Sequence, residues 1–434
     1  MHAEIRRLID EGPMTRFQVA SVAICVALNM LDGFDVLVMA FTAPAVAADW
    51  HLKGAEIGVL LSAGLFGMAG GSLFLAPWAD RFGRRTIILL SLAIITIGML
   101  LSAAAQSPGQ LAALRVLTGI GIGGILAGIN VITGEYSSNK WRSNAISIQV
   151  IGYPVGATIG GSVAAVLIAQ YGWRSAFLFG AAASLIMIPL VVMRLPESLD
   201  FLVARRPADA LRRLNDLLRR MNHEQVAELP ERSGMEQEHA QRNPLIGLFV
   251  GPLARSTILI WSAFFLLMFS FYFVLSWTPK LLVAAGMSTQ QGITGGVLLN
   301  LGGIAGGLIF GYLTSQLPLK RMSAAYLALG GLCLLWFGLV ASQLGMAFPV
   351  AVLIGFFIFG SMAGLYALAP ILYPASVRTT GMGWAIGIGR IGAILAPTIV
   401  GFMIDAGWKT ANLYFVFAVP LLIAAAIVLG LRQR

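Results

Sequence analysis

Two aspartates, Asp32 and Asp35, stand three positions apart in the otherwise oily run LDGFDVLVMA at residues 31–40. On a helix that spacing is nearly one turn, so both carboxyls can open into one cavity. Two carboxylates so close in a low dielectric resist being ionised together, so one of them can carry a proton. The four histidines (His2, His51, His223 and His239) all lie in polar segments, which leaves proton chemistry in the apolar stretches to carboxylates. The structural alternatives are that one aspartate merely pairs with an arginine or caps a helix break at Gly33. An ionised residue near the middle of a membrane helix costs about 2.5–3.5 kcal/mol on insertion scales, which favours a functional reading of the pair.

Two arginines are similarly placed. Arg115, in LRVLTGIGIGG, stays charged and can hold a carboxylate, with Asp35 at a similar depth as the natural partner; the alternative is snorkelling to the outer surface. Arg390, in GIGRIGAILAP, is too central to snorkel, and an anionic substrate group suits its forked guanidinium. Glu135 ends its apolar stretch just before a turn containing Lys140 and Arg142, and an interfacial ion pair with Arg142 is the preferred reading. Aromatic side chains crowd the stretch holding Phe264, Phe265, Phe269, Phe271, Tyr272, Phe273 and Trp277, with Tyr366 and Trp384 further on and Phe34 between the two aspartates. Each ring alone suits lipid contact or packing; as a set they suit a flat aromatic ligand.

These residues need long helices to position them. Only 11% of the 434 residues are charged and 58% are hydrophobic, against about 25% charged in soluble domains. Twelve apolar stretches are each long enough to cross a bilayer: roughly 17–48, 55–77, 86–105, 109–136, 141–169, 173–193, 254–283, 290–315, 320–341, 347–373, 377–405 and 411–431. The pattern predicts an all-α polytopic membrane protein. The net charge of +10 is a topology signal rather than a mark of nucleic-acid binding. With twelve crossings, 23 of the 29 Lys and Arg residues fall on the side of the N-terminus and four on the other (Lys53, Arg174, Lys280 and Lys409), leaving Arg115 and Arg390 in the membrane. The positive-inside rule then puts both termini in the cytoplasm. The first stretch is too long for a signal-peptide core and is expected to be retained. Cys25 and Cys333 lie in spans and imply no disulfide framework.

Aligned on itself at an offset of 236, the chain repeats: Arg85 meets Arg321, Arg142 meets Arg378, Gly156 meets Gly392, and after one residue of slippage Gly172-Trp173-Arg174 meets Gly407-Trp408-Lys409. Two parallel six-helix bundles follow, residues 17–193 and 254–431, between tails at 1–16 and 432–434, as in transporters whose halves rock about a central site. At the same offset Asp32 maps to Met268, Asp35 to Phe271, Arg115 to Ala351 and Arg390 to Pro154. The packing plan therefore does not require these charges. The polar segment 194–253 contains PADALRRLNDLLRRM, an amphipathic helix that can lie on an anionic leaflet, cover the bundle or serve as a solvated linker. GIGIGG sits inside an apolar stretch with no preceding strand and no Walker lysine, which argues for helix packing over nucleotide binding. Neither metal ligands nor a nucleophile–base constellation stands in the spans, so no cofactor and no enzymatic activity are expected.

PWADRFGRR between the second and third stretches, GYPVGATIGG in the fifth and the 6+6 plan resemble the major facilitator superfamily. Within it, LDGFD, RVLTGIG, LPES and LYPASVRTTGMGWAIGIGRIGA resemble the aromatic acid:proton symporter family. This resemblance implies import of an aromatic carboxylate, of the benzoate or hydroxybenzoate type, together with a proton. It implies that Asp32 and Asp35 are the family's acidic pair and that Arg390 is an arginine it requires. It also implies that Asp80, Arg81, Gly83, Arg84 and Arg85, with Arg142 and Arg378 in the matching loops, form a cytoplasmic latch between the halves. Two departures stand out: Ala76 replaces a glycine usual in the latch signature, and SQLPLKR in the second half has Gln316 in place of an acid.

The combined expectation is a proton-coupled symporter of the bacterial inner membrane, acting as a monomer. Asp32, Asp35, Arg115 and Glu135 would serve proton coupling, while Arg390, Phe34, Tyr272, Trp277, Tyr366 and Trp384 would hold the substrate. Proton-driven export of drugs or acids uses the same charges, and a transporter-like receptor for aromatic acids is the rival from another class.

Overall fold

In a computed structural model, residues 3–229, 248–249, 252–373 and 375–431 are described. Among them, twelve helices are long and apolar enough to cross a membrane: Arg16–Trp50, Gly54–Phe82, Arg84–Ala103, Pro108–Glu135, Asn139–Tyr171, Arg174–Arg194, Leu253–Ala284, Thr289–Thr314, Leu319–Val340, Gly345–Leu372, Thr380–Asp405 and Thr410–Gly430. The protein is an integral, multi-pass membrane protein. Local chemistry sets several helix starts. Thr15 and Gln18 form a capping box before the first span, Ser107 caps the fourth ahead of Pro108, and Ser288 with Gln291 repeats the box at the eighth.

Each half packs its spans on one plan. The first span lies on the fifth and the second on the fourth; the seventh lies on the eleventh and the eighth on the tenth. Close backbone approach explains the glycines at these crossings. A Cβ on Gly67 would sit 2.1 Å from the Val116 carbonyl, and one on Gly302 2.0 Å from that of Val352, the counterpart of Val116 at the 236-residue offset. The fifth and eleventh spans are followed by matched turns, with Gly172 at φ +80° and Gly407 at φ +83°, a region closed to most side chains. The halves meet through the second and eleventh spans, the fifth and eighth, and the first and seventh.

One span departs from a plain helix. After Gly70 the second span makes a π-turn at Gly71–Leu75, then a 3-10 turn at Ala76–Trp78 around Pro77. On the side of the chain ends, the amphipathic helix Ala210–Arg220 buries Ala210, Leu214, Leu217 and Leu218. These leucines belong to the main apolar core, so of the three expected placements it takes that of a packing cover. Part of the expected 194–253 linker, residues 230–247 and 250–251, lies outside the described residues.

Candidate functional site

The first span runs unbroken from Arg16 to Trp50, so neither aspartate caps a helix break. Gly33 instead permits contact with the fifth span, since a Cβ there would lie 2.0 Å from the Tyr153 carbonyl. The two carboxyls lie within electrostatic reach of each other, though each also has its own arginine. Asp32 lies within electrostatic reach of Arg390, Tyr153 and Tyr272. Asp35 turns into the first half: a methyl on Gly180 of the sixth span would lie 3.3 Å from its Oδ1. Both are buried, at 5% and 0% exposure. Among the described residues, Asp32 Oδ1 and both carboxyl oxygens of Asp35 have no hydrogen-bond partner. Two such carboxyls in an apolar interior are costly unless a proton or a cation compensates them.

Arg115 does not snorkel. It is 1% exposed, Nη2 donates to the Asp35 carbonyl at 2.6 Å, Nη1 points to Met99 Sδ at 3.4 Å, and the guanidinium lies over the Phe177 ring, 5.8 Å from its centroid. The arginine grips the backbone of Asp35 while its charge acts on the carboxylate, so the pair is electrostatic without a side-chain hydrogen bond. A small cavity lined by Val36, Leu61, Gly64, Arg115 and Ile122 adjoins it.

Arg390 reaches across the interface between the halves. Its Nη1 donates to the Met68 carbonyl at 3.1 Å and to Ser72 Oγ at 2.9 Å, both on the second span, where the helix enters its π-turn. Insertion of a residue into a helix is a recurrent device at functional sites, since it redirects backbone carbonyls. Tyr272 and Tyr366 also lie within electrostatic reach of Arg390. One acid, one guanidinium and three phenols thus gather from the first, fifth, seventh, tenth and eleventh spans. Tyr153, whose hydroxyl is buried without a partner among the described residues, is a member that sequence reading missed. Its only signal was a polar ring inside the glycine-rich GYPVGATIGG.

Other expected site residues lie elsewhere. Phe34 is buried against Gly160 and meets Phe179 edge-on at 5.3 Å, inside the first half. Trp277 is fully buried and spends its indole N–H on the Pro397 carbonyl at 3.0 Å, tying the seventh span to the eleventh. Trp384 is 45% exposed and stacks on Trp261 at 5.8 Å. The three rings are thus occupied by packing away from the central cluster. Glu135 does not pair with Arg142. It accepts from Ser198 Oγ at 2.8 Å and from the Leu199 N–H at 2.7 Å, capping the helix Leu199–Arg205, because the LPES segment folds back over the end of the fourth span. Arg142 pairs with Asp10 of the N-terminal helix Ala3–Glu11.

The expected latch is bound within the first half and the segment following it. Asp80 pairs with Arg84 at 2.9 Å, Arg205 donates to the Asp80 carbonyl, and Glu197 accepts from the Arg85 N–H at 3.1 Å. Gly83, at φ +99°, leaves room for Glu197, whose Oε2 lies 2.3 Å from where a Cβ would stand. Arg81 lies 5.4 Å from the Phe82 ring centroid, and Arg378 Nε donates to the Tyr373 carbonyl at 3.4 Å in its own half. Among the described residues, the side-chain hydrogen bonds between the halves all join the second and eleventh spans, on the side away from the chain ends or at Arg390.

The profile described as Major Facilitator Superfamily matches residues 22–390. The chain is 32% identical over 98% of its length to a gallate transporter of Pseudomonas putida, covering 94% of that protein. It is 30% identical to the 4-hydroxybenzoate transporter PcaK of Pseudomonas aeruginosa, covering 98% of this chain and 95% of the other. A proton:xylose symporter, XylE, bound to 6-bromo-6-deoxy-D-glucose shares the fold, with a TM-score of 0.74, 16% identity and 96% of each chain covered. With its twelve spans in two similarly packed halves, the chain belongs to the Major Facilitator Superfamily and, within it, to the family of aromatic-acid transporters.

Proposed function

We propose that the protein imports an aromatic carboxylate together with a proton by alternating access. The observation that carries this reading is the central cluster, in which Arg390 of one half and Asp32 of the other lie within electrostatic reach of each other, with Tyr153, Tyr272 and Tyr366 around them. Among the described residues the hydrogen bonds of Arg390 all leave from Nη1. Its Nε and Nη2 edge remains for a two-point grip on a carboxylate, and the phenol rings give a flat ligand aromatic faces and hydrogen-bond partners. The relatives named for gallate and 4-hydroxybenzoate support an aromatic acid as the substrate.

The proton is assigned to the aspartates. Substrate anion and proton together are neutral, so a cycle carrying one of each moves no net charge. A proton on Asp32 frees Arg390 from that carboxylate's pull and readies it for the anion. Asp35, beside Arg115, is the second proton carrier. The excess of Lys and Arg on the side of the chain ends supports that side as cytoplasmic and the bacterial inner membrane as the location. The hydrogen-bonded seam on the far side and the signature loop held within its own half support a state facing the cytoplasm, and on this reading a single chain supplies the whole site.

Uptake of labelled 4-hydroxybenzoate into right-side-out vesicles tests the reading. An imposed inward pH gradient should drive accumulation, and an uncoupler should abolish it. Accumulation that ignores a collapsed gradient would remove the proton from the scheme, while efflux alone from loaded vesicles would favour the export reading. Arg390→Lys should weaken apparent substrate affinity by about ten- to a hundredfold, as expected when a charge-assisted two-point contact is lost.

A further inference from the structure

The eleventh span ends at Asp405 on the side away from the chain ends, and this carboxylate reaches into the other half. Its Oδ1 accepts from the Gly54 N–H at 2.6 Å and its Oδ2 from the Ala55 N–H at 2.8 Å. These are the first two N–H groups of the second span, which have no carbonyl partner within their own helix. A carboxylate there satisfies both and meets the positive end of the helix dipole. The cap of one half's helix is thus supplied by the other half.

Below it the two spans close like a seam. A Cβ on Gly54 would lie 2.6 Å from the Gly401 carbonyl, and one on Gly401 2.4 Å from the Gly54 carbonyl, so the backbones touch. One turn further Gly58 faces the Pro397 carbonyl in the same way. Ser62 Oγ then donates to the Ile394 carbonyl at 2.8 Å and stands 2.8 Å from Thr398 Oγ1. The last side-chain hydrogen bonds of this seam among the described residues are those of Arg390 to Met68 and Ser72.

We propose that Asp405 is the gate residue of the far side: its carboxylate holds the second span's N-terminus while the site opens toward the chain ends, and lets go when the site opens the other way. Rocking of the halves separates the seam. Glu56 of the second span already accepts from the Lys53 N–H at 2.9 Å, but among the inter-half hydrogen bonds of the described residues Asp405 is the only member that brings a full negative charge, and it takes the Gly54 and Ala55 N–H groups that Glu56 leaves. The gate selects between states and touches no substrate. It rests on the alternating-access part of the proposed function and is independent of what is carried.

Spin labels test it in the full chain. One pair, at Gln106 and Gln343, spans the far-side loops of the two halves; a second, at Lys140 and Ser315, spans the loops on the side of the chain ends. Distances are measured by electron–electron double resonance in lipid nanodiscs, in the otherwise native chain and in Asp405→Ala and Asp405→Asn. Loss of a charged cap should raise the ratio of far-side-open to far-side-closed molecules about five- to thirtyfold in Asp405→Ala. The far-side pair then lengthens while the other pair shortens, and Asp405→Asn, which keeps one acceptor oxygen without the charge, falls between. Unchanged populations at both pairs in both variants would overturn the proposal. So would simultaneous broadening of both pairs in both variants, since that marks a residue needed for folding rather than for gating. Uptake of labelled 4-hydroxybenzoate by the unsubstituted protein is measured alongside. Its failure would sink the proposed substrate and leave the distance result to stand on its own.

Discussion

Asp32 and Asp35 look like a matched pair in the sequence, yet their side chains enter different surroundings. Although positions three apart share a helix face, Arg390 acts on Asp32 and Arg115 on Asp35. The two asparagine variants should therefore differ. Asp35→Asn, which alters the carboxyl beside Arg115 rather than the one beside Arg390, should abolish gradient-driven uptake yet leave substrate affinity within about threefold of the unsubstituted protein. Asp32→Asn should change both, and equal effects on binding would count against the separation. Charged residues in hydrocarbon were legible because composition makes them conspicuous. Tyr153 was not, because a tyrosine in a span is ordinary until its hydroxyl is seen to lack a partner. Glu135 misled for another reason: its partners Ser198 and Leu199 lie more than 60 residues away, whereas Arg142 stood close by in the chain. Glu135→Ala should cost about 1–3 kcal/mol by leaving a buried hydroxyl and N–H unpaired, read as a lower melting temperature, with Glu135→Gln recovering part of it.

At the scale of elements, the spans were legible because twenty apolar residues in a row admit few other structures. The π-turn at Gly71–Leu75 was not, since nothing in GSLFL differs from ordinary helical sequence. The crossing glycines were visible as a class, but the backbone each one admits depends on the partner span. Gly156, for instance, faces the Met30 carbonyl, with 1.8 Å left for a Cβ, while Gly307 has nothing within 4 Å. Gly156→Ala should therefore force the first and fifth spans apart, at about 1–3 kcal/mol or more, and lower thermal stability in detergent. Gly307→Ala is the control and should be neutral or slightly stabilising. Equal melting temperatures for the two would contradict the packing described. The amphipathic helix Ala210–Arg220 shows the limit of periodicity: its apolar face was plain, but whether lipid or protein covers that face is a tertiary fact.

Across the whole molecule the repeat was legible in loop arginines and turn glycines, and it reappears in three dimensions as paired crossings. What no single-chain pattern carries is the state of the machine. The signature loop expected to latch the halves is tied here to its own half, through Asp80–Arg84 and Glu197. Among the described residues, the side-chain hydrogen bonds that join the halves run from the opposite end, at Asp405, to Arg390. Contacts between the halves also divide unequally between two interfaces. The second and eleventh spans are stitched by directional hydrogen bonds, whereas the fifth and eighth meet through hydrocarbon, with Gly161 against Val297 and with Phe41 of the first span lying against both Gly161 and Gly296. A directional interface fits in one register and fails all at once, while a greasy one tolerates sliding. The protein thus carries a clasp on one flank and a bearing on the other, and under the proposed alternating access a swing that begins by unfastening the clasp can turn on the bearing while the halves stay in touch.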